Sequence, residues 1–276
     1  MDDLVLIRGG GDLASGVALR LHRVGMRVVI TELAQPLVIR RLVSFAEAIY
    51  QGQAQVEEVT SRRAENVSDL KKALNDGVIP VLVDPECTII NHIAEVGDQM
   101  KISVLVDGRM TKRPPNIGID AAPLVVGLGP GFVAGENCHA VIETNRGHFL
   151  GRVIWKGSPL VDTGVPEGFG GEFQDRVLRS PGEGIFQPYR EICDRLNPGD
   201  LIAEVEGHPI TAPFKGVLRG LLHSGLTVQQ GSKVGDLDPR DDPRYCRSVS
   251  DKSLAISGGV LETILVYKNQ QKNLEV

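Results

Sequence analysis

The chain has 276 residues, of which 42% are hydrophobic and 24% charged, and its formal net charge is −5. This length allows one large domain or two ordinary ones, each with a core. The acidic balance argues against a nucleic-acid-binding protein, because such proteins usually carry a basic surplus. Since no apolar run approaches the roughly 18 residues of a membrane helix and no signal-peptide pattern is present, we expect a cytoplasmic protein that does not bind membranes.

The first half of the chain, up to about residue 132, alternates short apolar runs with helical periodicity. Strands are predicted at residues 4–7, 28–31, 56–60, 79–83, 102–106 and 124–127, and helices at residues 13–24, 36–43 and 68–77. Continuous Val, Ile and Leu runs are typical of parallel strands that are covered on both faces. The sequence therefore predicts an α/β fold with a Rossmann-like, doubly wound parallel sheet as a first domain, residues 1–134.

The second half has a different character, because helical periodicity nearly vanishes and glycine turns come every few residues. Short strands with glycine at their corners are typical of a small β-sandwich or barrel. We therefore predict a β-rich second domain, residues 135–276. Within it, residues 199–236 resemble a biotinyl/lipoyl-like barrel-sandwich, but the expected tip near Gly207 has no lysine to modify.

A glycine-rich turn follows the first predicted strand and opens the first predicted helix. Gly9, Gly11 and Ala14 fit the G-x-G-x-x-A dinucleotide fingerprint, in which backbone N–H groups at a helix N-terminus hold phosphates. The alternative is a tight strand-to-helix turn with no ligand, and the charge of Asp12 would repel a close phosphate. The candidate ligand-binding residues here are Arg8, Gly9, Gly10, Gly11, Asp12, Gly16 and, as an acceptor for a ribose hydroxyl, Glu32.

Further polar residues and a second glycine loop follow later predicted strands. If these strands are parallel, their carboxyl ends meet at the edge where such sheets bind ligands. A single Asp after a strand is more often a turn former or helix cap, and the polar run at residues 143–148 has the alternative of a solvated hairpin tip. The candidates at this edge are Asp84, Asp107 and Arg109, then Gly127, Gly129 and Gly131, and finally Asn145, Arg146 and His148.

The four cysteines are widely spaced and form no CxxC pair, which predicts neither a zinc cage nor a disulfide scaffold. We predict no metal site. Cys87 and Cys193 have no strong activating charge or paired thiol beside them in the sequence, so each is expected to be an inert, buried cysteine.

Several stretches together resemble a known family over almost the whole chain. They are residues 7–16, 40–48, 127–132, 143–148, 235–240 and 257–262. They resemble the YqeB-type accessory proteins of selenium-dependent molybdenum hydroxylase systems, a family placed near the XdhC-like maturation factors. The resemblance implies a role in supplying, modifying or inserting the molybdenum cofactor, with a molybdenum hydroxylase or another cofactor-assembly protein as partner. It supplies no catalytic residues.

The resemblance and the glycine loops lead to one functional hypothesis and two alternatives. In the first, Gly9–Gly11 and Gly127–Gly131 hold the phosphates of a molybdopterin-type cofactor. The second is an NAD(P)-dependent oxidoreductase that binds an NAD(P)-like nucleotide, although no tyrosine has a lysine four residues on. The third is a nucleotide-binding scaffold without turnover. Edge strands and a compact β unit are compatible with a homodimer.

Overall fold

A computed structural model describes residues 4–95, 100–161 and 176–274. The strands of its largest sheet are β1 (Leu4–Arg8), β2 (Arg27–Glu32), β3 (Gln53–Val56), β4 (Val59–Ala64), β5 (Ile79–Val83), β6 (Ile102–Asp107), β7 (Leu124–Leu128), β8 (Ala140–Ile142) and β9 (Val153–Ile154). They form a nine-stranded sheet in the order β3-β4-β5-β2-β1-β6-β7-β8-β9. Neighbours from β4 to β8 are parallel, whereas β3 and β9 pair antiparallel at the two edges.

Helices cover both faces of this sheet. They are α1 (Asp12–Arg23), α2 (Ala48–Gln51), α3 (Val67–Asn75), α4 (Ile89–Glu95) and α6 (Asp251–Leu274), with 3-10 turns at Arg41–Val43, Phe45–Glu47 and Ile119–Ala121. The short helix α5 (Arg244–Arg247) precedes α6 and contacts the turn Arg41–Val43. Because side chains alternate along a strand, Val5 and Ile7 of β1 join the core beneath α1 and α6. Leu4 and Leu6 join the opposite core, beneath α3 and α4.

Small residues let α6 approach α1 and the turn before β9 closely. The Ser253 hydroxyl donates to the carbonyl oxygen of Asp12 at 3.1 Å. A Cβ at Gly16 would collide with Ser253, and one at Gly259 would collide with the carbonyl oxygen of Gly151. The glycine at position 16, which the sequence suggested for a ligand, is therefore required by helix packing.

The remaining strands form a separate β unit. They are β10 (Val177–Arg179), β11 (Gly184–Pro188), β12 (Arg195–Leu196), β13 (Leu201–Val205), β14 (His208–Thr211), β15 (Gly216–Leu221), β16 (Thr227–Val228) and β17 (Lys233–Asp238). They make two four-stranded antiparallel sheets, β10-β17-β15-β12 and β14-β13-β11-β16. Phe186, Val205, Leu218 and Leu237 lie in their shared hydrophobic core.

The fold class predicted from the sequence is wrong. The large sheet is mixed, with antiparallel strands at both edges, and it is followed by two antiparallel sheets in place of a single lipoyl-like barrel. Apolar runs reveal buried strands, but they do not reveal the direction of an edge strand, which the turn at its end decides. The β3–β4 turn, for example, places Glu57 at φ 53°.

Two helix predictions also differ from the structure. Residues 36–43 do not form an α-helix, because Ile39 and Arg41 bond to the β unit: Leu221 N–H donates to Ile39 O at 2.8 Å, and Arg41 Nε donates to Leu221 O at 2.7 Å. The chain after residue 135 was expected to be almost all β, but it ends in the 24-residue helix α6.

The division into residues 1–134 and 135–276 stays a prediction. The large sheet continues past residue 134 to β9, and α6 returns to pack on α1. Within the described ranges, no helix is both long enough and apolar enough to cross a membrane.

Candidate functional site

The carboxyl ends of β1 and β6 bring two charged residues side by side. Arg8 and Asp107 are the last residues of their strands and are partners in the parallel register. Arg8 is 1% exposed and Asp107 3% exposed, and Arg8 Nη1 donates to Asp107 Oδ2 at 3.1 Å. Since buried charges are stable only when paired, the two strand ends depend on each other.

A second guanidinium completes this arrangement. Arg109 donates from Nε to Asp107 Oδ1 at 2.9 Å and from Nη2 to Asp107 Oδ2 at 2.7 Å. The side-chain oxygen of Asn116 accepts from Arg8 Nη1 at 3.0 Å and from Arg109 Nη2 at 3.1 Å. We refer to Arg8, Asp107, Arg109 and Asn116 as the Arg–Asp–Arg cluster.

The cluster carries two positive charges and one negative charge. Burial lowers the pKa of Arg8, Asp107 raises it again, and the nearby charge of Arg109 lowers it further. A further carboxylate, that of the exposed Glu86, accepts from Asn116 Nδ2 at 2.9 Å. Within the described part of the chain, Arg109 Nη1 has no hydrogen-bond partner, and the Arg109 side chain is 25% exposed.

The first glycine loop is closed by the protein's own atoms. Gly9 N–H donates to Thr31 O at 2.7 Å, and Gly10 O accepts from Ala46 N–H at 2.9 Å. A Cβ at Gly10 would lie 2.8 Å from Ala46 N, and one at Gly9 would lie 3.3 Å from the Cα of Arg109, whereas no atom lies within 4 Å of one at Gly11. Gly9 and Gly10 are therefore explained by packing.

Glu32 and Asp12 have partners within the fold. Glu32 accepts from Gly10 N–H and Leu33 N–H, both at 2.7 Å. Burial raises the pKa of Glu32, and these two hydrogen bonds lower it only in part. Asp12 is the first residue of α1, and its carboxylate lies 3.9 Å from Nη1 of the buried Arg40. The Glu32 carboxylate thus accepts from the Gly10 N–H, one of the loop N–H groups that were expected to bind a phosphate.

Asp84 caps the start of α4. Its carboxylate accepts from Thr88 N–H at 2.9 Å and from Ile89 N–H at 2.8 Å. This is the structural alternative stated for an Asp that follows a strand.

The second glycine loop is also filled by neighbouring protein atoms. A Cβ at Gly127 would meet the Phe132 ring, one at Gly129 the Thr144 hydroxyl, and one at Gly131 the carbonyl of Arg113. These glycines allow the loop to fold against its own surroundings. A role for them in holding a ligand stays a prediction.

The polar run after β8 lies beside the start of α6. Asn145 N–H donates to Glu143 at 2.6 Å, and Arg146 forms a bidentate pair with Asp251 at 2.6 and 3.0 Å. His148 is exposed and stacks edge-on against Phe149, with ring centroids 5.2 Å apart. The polar run thus contacts its own neighbours and the start of α6.

Sequence reasoning named three members of the cluster: Arg8 as part of the first glycine-rich turn, and Asp107 and Arg109 because they follow a predicted strand. It missed Asn116, which lies in the Pro-rich stretch after β6 and has no distinguishing neighbour in the sequence. Within the described ranges, no group of three or more His, Cys, Asp or Glu side chains is arranged to hold a metal ion.

Comparison of the sequence with curated proteins gives a match over nearly the whole chain. The chain is 45% identical over 267 residues to "Uncharacterized protein YqeB" of Escherichia coli (strain K12), which covers 97% of this chain and 48% of that protein. The resemblance to YqeB is confirmed. The chain spans about half the length of this relative, and the match shows no link to XdhC-like factors or selenium-dependent hydroxylases. No family model matches the chain.

Comparison with solved structures gives distant likenesses. An aspartoacylase family protein from Mesorhizobium loti matches with a TM-score of 0.27 and 13% identity over 85% of this chain and 84% of that one. A succinylglutamate desuccinylase from Silicibacter sp. TM1040 matches with a TM-score of 0.24 and 12% identity over 85% and 84%. The ectoine utilization protein EutE (DoeB) from Ruegeria pomeroyi matches with a TM-score of 0.23 and 11% identity over 85% and 57%.

The comparisons do not support the function predicted from the sequence. The neighbours are named as an aspartoacylase family protein and a succinylglutamate desuccinylase. The prediction of a molybdenum-hydroxylase maturation factor finds no support in them, and neither do its alternatives of an NAD(P)-dependent oxidoreductase and a nucleotide-binding scaffold. Likenesses with TM-scores below 0.3 transfer no substrate, metal or reaction to this chain.

Proposed function

We propose that this protein binds a small organic anion, of the carboxylate class, at the Arg–Asp–Arg cluster. The observation that carries the proposal is that two guanidiniums share one buried carboxylate. Arg8 and Arg109 both donate to Asp107, and Arg109 keeps Nη1 without a partner in the described chain.

Charge balance supports this proposal. The cluster has a net charge of +1, and Asp107 is buried where water screens charge weakly. The exposed Glu86 is screened by solvent and offsets this charge only weakly. A bound anion beside Arg109 would neutralise the excess without a change in the pairs that already exist.

The geometry favours a carboxylate of single charge. Arg109 has its Nε and Nη2 occupied by Asp107 and Asn116, so the two N–H groups of Nη1 remain for one oxygen-bearing anion. Charge-assisted hydrogen bonds of this kind are roughly twice as strong as neutral ones. A doubly charged phosphate would exceed the available positive charge and would be repelled by Asp107.

Isothermal titration calorimetry with acetate, pyruvate, benzoate, succinate and inorganic phosphate tests the proposal. We expect at least one monocarboxylate to bind more tightly than phosphate. Arg109→Gln removes the charge that contacts the ligand and should raise the Kd about 10- to 100-fold.

Arg62→Gln is the matched control, because Arg62 also pairs with a carboxylate, Asp76 at 2.7 Å, but on an exposed surface. It should leave the Kd unchanged. The proposal is wrong if none of the anions binds the folded wild-type protein, or if Arg109→Gln and Arg62→Gln bind the ligand equally well.

A further inference from the structure

Two cysteines that are distant in the sequence meet in the β unit. Cys246 lies in α5 and is fully buried, whereas Cys193 lies in the turn before β12 and is partly exposed. Both contact the same backbone oxygen of β15: Cys193 N–H donates to Leu218 O at 2.8 Å, and Cys246 Sγ lies 3.8 Å from it. Cys193 also lies close enough to Cys246 to raise the pKa of the Cys246 thiol.

This pairing distinguishes them from the other two cysteines. Cys87 and Cys138 are each buried, and burial raises the pKa of both thiols to about 11, as it does, together with Cys193, for Cys246 to about 12. The difference lies in the neighbouring thiol. The sequence predicted that Cys193 is inert because no CxxC motif or nearby charge marks it. The fold supplies a partner thiol that sequence spacing does not reveal.

The two thiols of the pair differ in their surroundings. Cys193 is the accessible member, and its backbone is held in the left-handed region at φ 86° by the bond from its N–H to Leu218 O. Burial and the neighbouring Cys193 raise the pKa of the Cys246 thiol to about 12, and the charges of Arg40 and Arg219 offset this rise only in part. Solvent reaches the pair from the Cys193 side.

We infer that Cys193 and Cys246 are a reversible dithiol–disulfide pair that exchanges with a low-molecular-weight disulfide such as glutathione disulfide. The Cys193 thiolate attacks one sulfur of glutathione disulfide, the S–S bond breaks, and one glutathione leaves as a thiolate. Cys246 loses its proton and attacks the Cys193 sulfur of the mixed disulfide, which displaces the second glutathione thiolate. The two protein thiols are oxidised by two electrons, and glutathione disulfide is reduced to two thiols.

The bond would act on the junction between the β unit and the large sheet. α5 directly precedes α6, and Arg40 Nη2 donates to Tyr245 O at 3.0 Å and to Ser248 O at 3.3 Å. A disulfide would fasten α5 to the turn before β12 and so fix the α5 end of this junction.

Peptide mapping by mass spectrometry tests the inference on the reduced, full-length protein after incubation with glutathione disulfide and an acid quench. We expect a Cys193–Cys246 linked peptide in the wild type, with Cys87 and Cys138 unmodified. Cys246→Ser should trap glutathione on Cys193, and Cys193→Ser should give neither product. Cys138→Ser is the control and should form the linked peptide as the wild type does.

Two results would overturn the inference. One is a folded wild type in which glutathione stays on Cys193 and no linked peptide forms. The other is a wild type in which both thiols remain unreacted while an unfolded sample of the same chain reacts. Both results are measured on the wild-type protein. A folding defect in Cys246→Ser therefore does not affect the test.

Discussion

At the scale of single residues, the buried charges of this protein are organised as arginines that share carboxylates. Besides the Arg–Asp–Arg cluster, the β unit holds Asp236 and Asp238 on either side of Arg219. Arg219 contacts Asp236 at 2.5 Å and Asp238 at 3.0 Å, and Asp238 also accepts from Arg240 Nη2 at 2.6 Å. When a carboxylate in such a network is protonated, it loses its negative charge and leaves a buried arginine without an ionic partner, which is costly.

This network predicts acid sensitivity. Burial alone would raise the pKa of Asp238, but the hydrogen bonds from Arg240 and the charge of Arg219 lower it to about 2. A carboxyl whose pKa is depressed by folding contributes stability above its unfolded pKa of about 4 and loses it as pH falls toward 2. We expect the free energy of unfolding, measured by urea denaturation, to fall between pH about 4 and about 2, and Asp238→Asn to flatten this decline.

Asp251 provides the matched control. A hydrogen bond from Arg146 lowers the pKa of Asp251 to about 2 as well, but its side chain is 74% exposed, so solvent screens the pair. Asp251→Asn should therefore change the pH slope much less than Asp238→Asn. Equal slopes for the two variants would show that burial of the Arg219 network does not set the acid sensitivity.

At the scale of elements, α6 shows how local sequence and packing disagree. Glycine in a helix interior costs about 1 kcal/mol relative to alanine, yet α6 has two in succession, Gly258 and Gly259. Only Gly259 lies against backbone, where a Cβ would collide with Gly151 O and lie 3.1 Å from Ile142 Cγ2. A Cβ at Gly258 would meet nothing closer than an arginine nitrogen at 3.8 Å.

Adjacent alanine substitutions should therefore have opposite effects. Gly258→Ala is expected to stabilise the protein by about 0.5–1 kcal/mol, because it removes backbone freedom from the unfolded chain. Gly259→Ala should destabilise it by about 1–3 kcal/mol, the usual cost of overpacking. Thermal denaturation of both variants measures the difference, and a stabilising Gly259→Ala would refute the close approach of α6 to the turn before β9.

The same comparison shows what could be predicted from the sequence. The central strands β1, β2, β5, β6 and β7 were placed within a residue at each end, because each is a continuous apolar run. The helix α6 was missed, since its glycines and serines interrupt the apolar periodicity and are explained only by contacts with residues far along the chain. Asn116 was missed for the same reason: its two guanidinium partners are brought to it by folding.

At the scale of the whole molecule, α6 completes the hydrophobic core that lies beneath α1. Ile256, Val260 and Ile264 of α6 are fully buried in the same cluster as Val17 and Leu21 of α1. The core beneath α1 is thus built from both ends of the chain. Burial of such side chains contributes about 1.5–3 kcal/mol each, which is large against a typical total stability of 5–15 kcal/mol.

The domain division predicted from the sequence can be tested on this basis. If residues 1–134 are an independent domain, that fragment should fold alone. We expect it not to, because without α6 the apolar side of α1 is exposed to water, and without β8 the edge of β7 is unpaired. Circular dichroism and urea denaturation of the fragment should show no cooperative transition, whereas the full chain should show one.

A single-residue variant of the full chain separates the role of α6 from the effects of truncation. Val260→Asp places a charge in the shared core and should abolish cooperative unfolding of the large sheet, because an unpaired buried carboxylate is very costly. Leu265→Asp on the same helix is 48% exposed and should have little effect. Two results together would contradict this role of α6: cooperative unfolding of the fragment of residues 1–134, and equal stability of the Val260→Asp and Leu265→Asp proteins. They would mean that the core beneath α1 forms without α6.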